Sequence, residues 1–196
     1  MRGLRLYGLV GMVLAMCGAG ANAQRSLPAL QADIETFHKL PNGHVVHTTG
    51  HYYRAADGRT REDLGSGSVI VNLKSHTVTM LNHVTKEARV IRPPQELSKP
   101  EPRQDLTDHA KGVVEGHGVN KASGIGANGE RHEVWTAEDI GLVVFARTEA
   151  HGMTSTRTLR NISLREPDHS MFDVPHGYKT VEMTDSGNGG KGMGGR

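Results

Sequence analysis

Cysteine is almost missing from this chain: Cys17 is the only one among 196 residues, and it falls in a segment expected to be cleaved away. Without it the mature chain has no disulfide staple, no thiolate nucleophile and no cysteine-based zinc site. Aromatic side chains are scarce too, and those beyond the amino-terminal segment are Phe37, Tyr52, Tyr53, Trp135, Phe145, Phe172 and Tyr178. The expected core is therefore thin and mostly aliphatic. No apolar run is long enough to span a bilayer as a helix; the run from Leu6 to about Ala19 is short and broken by glycine. Catalytic signatures are also lacking. There is no G-x-S-x-G, H-E-x-x-H, P-loop or dinucleotide fingerprint, and GIGANG at 124–129 reads as a turn-rich loop outside any strand-to-helix unit. An enzyme is not expected.

What is present begins with an address. MRGLRLYGLVGMVLAMCGAGANAQ places Arg2 and Arg5 ahead of the apolar run and Ala21-Asn22-Ala23 ahead of Gln24. A basic start, an apolar middle and an A-x-A site mark a secretory signal peptide over 1–23, with the mature chain beginning at Gln24. Leu14-Ala15-Met16-Cys17 offers a lipoprotein signal as the competing reading, but Met16 stands where such signals need a small residue, so the free form is expected. Export points to the periplasm, with the extracellular space as the alternative. The whole chain carries a formal charge of +2, and the segment 1–23 contributes two arginines and no acid, so the mature chain is formally neutral. The broad basic field of a nucleic-acid binder is missing. Neither nucleic acid nor a transmembrane span is expected of the mature chain.

From Leu30 onward, short segments rich in Val, Ile and Thr are separated by Gly, Asn, Asp or Pro. β-Branched residues suit a pleated surface and the punctuating residues supply turns, so the expected fold is an antiparallel sheet joined by hairpins. Strands are expected near 31–40, 44–54, 59–64, 67–74, 77–83, 87–92, 112–119, 130–136, 142–150, 154–164 and 177–182, the last closing a single domain over 24–182. Pro93, Pro94, Pro100 and Pro102 exclude a central strand over 93–104, which reads as an exposed connection followed by a short helix from Leu106 to Lys111. The tail over 183–196, ending SGNGGKGMGGR, has too much glycine and too little apolar periodicity to order itself.

The stretch HYYRAADGRTRED, 51–63, gathers Arg54, Arg59 and Arg61 around one Asp-Gly. A type I turn with Gly58 left-handed makes Ala55 face Arg59 and pairs Arg54 with Thr60, Tyr53 with Arg61, Tyr52 with Glu62 and His51 with Asp63. Alternation then puts His51, Tyr53, Arg59, Arg61 and Asp63 on one face and Tyr52, Arg54, Thr60 and Glu62 on the other. Most charges gain a neighbour, so the arginines register a hairpin. Arg59 and Arg61 are kept as candidates for a headgroup or partner contact, Arg59 because no counter-charge is assigned to it.

The Tyr-Arg…Asp-Gly-Arg-Thr-Arg hairpin, the strand led by Trp135, the Leu-Arg-Asn-Ile strand and the ending EPDHSMFDVPHGY together resemble a family of exported bacterial proteins of mostly unknown function, similar in fold to the periplasmic lipoprotein-carrier (LolA-like) superfamily. The resemblance covers roughly residues 30 to 182. It implies a mainly β fold, a strongly curved antiparallel sheet or half-barrel with few short helices and an apolar groove on its concave face. In the better-understood relatives the groove takes acyl chains of lipoproteins or belongs to a sensing domain. The present chain has little sequence left over for covering helices.

The apolar residues of SVIVNL and TVTML supply a candidate groove: Val69, Val71, Leu73, Val78 and Met80, with Trp135, Val143 and Phe145 from later strands. The alternative is that they form the core. The 12 histidines raise a metal site, above all His44, His47 and His51. On a strand His44 and His47 point to opposite faces, while His47 and His51 lie ~13 Å apart, too far for one ion without other strands. No metal ligand set and no cofactor is assigned. Pro167 and Pro175 bracket a turn in which Phe172 anchors against the sheet. The expected function is a non-enzymatic envelope protein that binds a lipid, a lipoprotein acyl chain or another apolar ligand; the alternatives are a sensory or structural protein binding another polypeptide and a histidine-based metal binder.

Overall fold

The computed structural model of the protein describes residues 27–93, 106–126 and 128–183. The expected signal peptide, nearly all of the proline-rich connection and all but the first residue of the glycine-rich tail lie outside them. Among the described residues twelve strands form one sheet: β1 Leu30–Lys39, β2 Val45–Arg54, β3 Thr60–Leu64, β4 Gly67–Asn72, β5 Thr77–Asn82, β6 Glu87–Ile91, β7 Leu106–Val114, β8 His117–Ile125, β9 Arg131–Ala137, β10 Leu142–Ala150, β11 Met153–Ser163 and β12 Lys179–Met183. Their order is β12-β6-β5-β4-β3-β2-β1-β11-β10-β9-β8-β7. The two chain-distant halves, β1 to β6 and β7 to β11, join where β1 pairs with β11. The sheet is strongly curved and does not close on itself.

One expectation needs correction. Leu106 to Lys111 is strand, not helix: β7 runs antiparallel to β8 through the turn at Glu115-Gly116, and Val113 opposes Gly118 in that ladder. Cross-strand hydrogen bonding overrides a weak local helical tendency, and the strand expected over 112–119 is in fact the two arms of this hairpin. β12 adds to the edge strand β6, and does so in parallel, with Lys179 opposite Glu87 and Met183 opposite Ile91.

Direct pairing sorts side chains onto two faces, because opposed residues point the same way. Leu30, Ala32 and Ile34 of β1 oppose Arg54, Tyr52 and Gly50 of β2, and on the other side Ile34 opposes Leu159 and Thr36 opposes Arg157 of β11. This is the concave face. Side chains stand roughly perpendicular to a sheet, so residues three strands apart meet only on the side toward which the sheet bends. Glu62 of β3 meets Arg157 of β11 at 2.6 Å there, and Arg54 of β2 reaches the carbonyls of Ile140 and Gly141 in the β9–β10 turn.

A first core occupies that face, built from Leu30, Ala32, Ile34, Tyr52, Val144 and Leu159 with Ile140 and Leu142 near the turn. A second core lies on the convex face, where Ala55, Ile70, Leu81 and Ala88 are covered by Phe172, Met171 and Tyr178. A thin aliphatic composition is thus spread over two small cores instead of one large one.

Gly50 marks the tightest approach in the central sheet. A Cβ built on it would lie 1.8 Å from the Asp63 carbonyl oxygen in β3. Gly50→Ala is expected to push β2 and β3 apart and to cost about 1–3 kcal/mol, read as a lowered urea midpoint; an unchanged midpoint would show that the two strands can separate freely at this point.

Candidate functional site

The 51–63 hairpin takes the expected form. The Ala55 amide donates to the Arg59 carbonyl at 2.9 Å and the Gly58 amide to the Ala55 carbonyl at 3.0 Å, with Gly58 at φ +91°. β2 and β3 pair in the expected register, from His51 with Asp63 to Arg54 with Thr60. The two faces of this hairpin then meet very different surroundings.

On the concave face Tyr52, Arg54 and Glu62 are buried. Arg54 donates to the Pro28 carbonyl at 3.0 Å, the Gly141 carbonyl at 3.3 Å and the Ile140 carbonyl at 2.5 Å, and burial lowers its guanidinium below the ordinary value. Glu62 accepts from Arg157 Nη2, and the Arg157 guanidinium also lies 6.0 Å from the centre of the Tyr52 ring. Among the described residues the buried Nε of Arg157 has no hydrogen-bond partner. The inner face therefore carries a buried ion pair in the middle of an apolar surface. Sequence reading missed Arg54, Glu62 and Arg157 as members of one inner site. The signal available was alternation, which set Arg54 and Glu62 on the same face as Tyr52.

On the convex face the segment 166–178 clamps the hairpin. Arg59 lies 2.9 Å from Asp57 and 3.7 Å from Asp173, donates to His169 Nδ1 at 3.1 Å, and sits 5.1 Å from the centre of the Phe172 ring. Arg61 donates to Asp63 at 2.6 Å, to the Met171 carbonyl at 2.6 Å and to Ser68 Oγ at 3.2 Å. Ser68 Oγ is 2.6 Å from His83 Nε2, and His83 Nδ1 is 2.5 Å from the Tyr178 hydroxyl. The expectation that Arg59 lacks a counter-charge is corrected here. The main counter-charge is Asp57, two residues back in the turn itself, which cross-strand pairing does not count, and Asp173, more than a hundred residues along the chain, adds a longer contact.

The candidate groove residues divide. Val69 opposes Met80 and Val71 opposes Val78, and through Glu62 opposite Val69 this quartet shares the concave face. Val71 and Val78 are buried, whereas Val69 and Met80 are half-buried. Leu73 lies past the end of β4 and is exposed. Trp135 opposes Phe145 and their rings lie 4.4 Å apart. Phe145 opposes Thr158 and so belongs to the convex side, while Trp135 also packs against the edge of the first core. Val143 sits beside the register shift in β10 that lets the two aromatic rings meet. The structure brings Val69, Val71, Val78 and Met80 together, and leaves Leu73, Trp135 and Phe145 away from that quartet.

The histidines are dispersed. His47 stacks on Phe37 at 4.2 Å, His51 lies 3.0 Å from Asp33, and His117 lies 2.6 Å from Asp139. Among the described residues no group of three or more His, Cys, Asp or Glu side chains is placed to hold a metal ion. No described helix is long and apolar enough to cross a membrane.

Asp168 caps the 3-10 turn His169–Phe172 by accepting from the Ser170 amide, and that backbone hydrogen bond, followed by the one from the Ser170 hydroxyl, holds its carboxyl below the ordinary value. A lowered folded-state value means that the unfolded chain binds the proton more tightly. The contribution is present above the ordinary carboxylate pKa of about 4 and is lost as pH falls through the lower folded value. Asp168→Asn should therefore weaken the acid dependence of unfolding, and an acid limb identical to that of the native chain would contradict the cap.

No family model matches the chain, and no curated protein matches it either. Among solved structures, an uncharacterized conserved protein from Thermus thermophilus superposes with a TM-score of 0.57 at 10% identity, over 80% of this chain and 91% of that one. That likeness establishes a shared fold. The LolA superfamily protein NE2245 from Nitrosomonas europaea gives 0.42 at 6% identity, over 76% and 92% of the two chains, and a DUF1329 family protein from Desulfovibrio piger gives 0.43 at 11% identity, over 76% and 90%. At that distance likeness says nothing about activity.

Proposed function

We propose that this is an exported, non-enzymatic envelope protein, periplasmic in location, that takes a lipid, a lipoprotein acyl chain or another apolar ligand against the concave face of its sheet. The observation that carries the reading is the half-buried pair Val69 and Met80, set on the same face as the buried Leu30, Ile34 and Leu159 surface. An acyl chain lying along them would extend the apolar surface of the first core and remove further area from water, worth about 0.8 kcal/mol per buried methylene.

Delipidated protein should melt at a higher temperature when a long-chain fatty acid or a diacyl phospholipid is added. At a hundredfold excess over Kd the gain is about 2.7 kcal/mol, a rise of roughly 5–10 °C. No rise with any acyl ligand would overturn the reading.

A further inference from the structure

One end of the sheet has a chemistry different from the rest. The β1–β2 and β10–β11 hairpins end there side by side, since β1 pairs with both β2 and β11, and a Cβ on Gly152 would touch Pro41 at 3.7 Å. Phe37 is 39% exposed, Val45 52%, Val46 41% and Met153 44%. In the stretches 36–48 and 150–156 there is no carboxylate; Lys39 is the one fixed charge, and His38, His44, His47 and His151 lie within the same stretches.

We propose that this end docks onto an anionic lipid bilayer and that its histidines make the docking stronger in mild acid. Charge complementarity selects the partner. Imidazole is the side chain whose charge changes between about pH 5 and 8, so acidification adds positive charge around exposed apolar residues with no acid among them. The placement of those residues favours a bilayer over a protein groove. Phe37, Lys39 and Val45 point to the convex face and Val46 and Met153 to the concave face, so the end is apolar on both sides, as suits insertion into an interface.

The charges around it are few. His38 stands between Val46 and Ser155, His47 opposite Phe37, and Lys39 between Val45 and Thr154. Farther from the end, Glu35 lies between Thr49 and Thr158, Arg157 opposes Thr36, and Glu149, opposite Thr154 and Arg131, is held by Arg147.

The test is flotation of the processed protein, purified from envelope extract, with phosphatidylcholine vesicles alone or with about one third phosphatidylglycerol, at about pH 5.5 and 7.5. The expected result is binding to the anionic vesicles at least about tenfold stronger at the lower pH and negligible binding to the neutral ones. The combined variant Phe37→Ser, Val45→Ser, Val46→Ser should lose it. The variant His38→Gln, His44→Gln, His47→Gln, His151→Gln should bind equally at both pH values. If the triple variant does not fold, Val45→Asp alone serves, because that side chain is already exposed. Lipid carried on the concave face would leave the protein in the soluble fraction, so docking and ligand binding are read separately. Binding indifferent to lipid charge or to pH, binding unchanged in the apolar variants, or self-association in place of flotation would each overturn the proposal.

Discussion

Glu62→Ala is expected to destabilise the protein by about 3–5 kcal/mol, lowering its melting temperature by roughly ten degrees. Glu62 and Arg157 are both buried, and their contact at 2.6 Å bridges β3 and β11 across the two intervening strands. Removing the carboxylate leaves a guanidinium in the interior whose Nε already lacks a partner among the described residues. The cost is that of an uncompensated buried charge, not of one hydrogen bond. The double variant Glu62→Leu, Arg157→Met separates these effects. It replaces the pair with apolar groups of similar length and should recover most of the loss. A single variant within about 1 kcal/mol of the native chain would mean that the pair behaves as a solvated one.

Phe172→Ala should cost about 3–5 kcal/mol. Phe172 is 6% exposed and joins Ala55, Ile70, Leu81 and Ala88 in the convex core. The lost volume is not the whole effect. The same ring lies 5.1 Å from the Arg59 guanidinium, and the Arg61 contact to the Met171 carbonyl holds the neighbouring residue. Truncation should therefore loosen the segment 166–178 from the hairpin as well, exposing its amides to hydrogen exchange. An unchanged thermal melt would refute the anchor.

These two positions show what could be read from sequence. The Arg-rich hairpin was legible because its register follows from one turn: placing Gly58 in the left-handed region fixes every pair back to His51 and Asp63. Phe172 was legible because two prolines bracket it and large aromatics are scarce. Glu62 with Arg157 was not, because the contact depends on how far the sheet bends, and alternation within β3 or β11 carries no information on that. The counter-charge of Arg59 escapes strand pairing for a different reason: Asp57 sits in the turn and folds back onto the guanidinium within two residues, and Asp173 adds a longer contact from beyond the last hairpin. Leu106 to Lys111 is strand despite its local helical pattern because the strand it pairs with, β8, decides its conformation and its own residues do not. Alternation could place Val69 with Val71 and Val78 with Met80, but only the ladder shows that Phe145 stands on the other side and that Trp135 meets it across a register shift.

The most direct test of lipid binding is native mass spectrometry of the protein purified from envelope extract without detergent washing. The account predicts a mass above that of the processed polypeptide, with the excess released on activation as a lipid or acyl-bearing species. A bare polypeptide mass, in a preparation that also gains no thermal stability from added lipid, would contradict it.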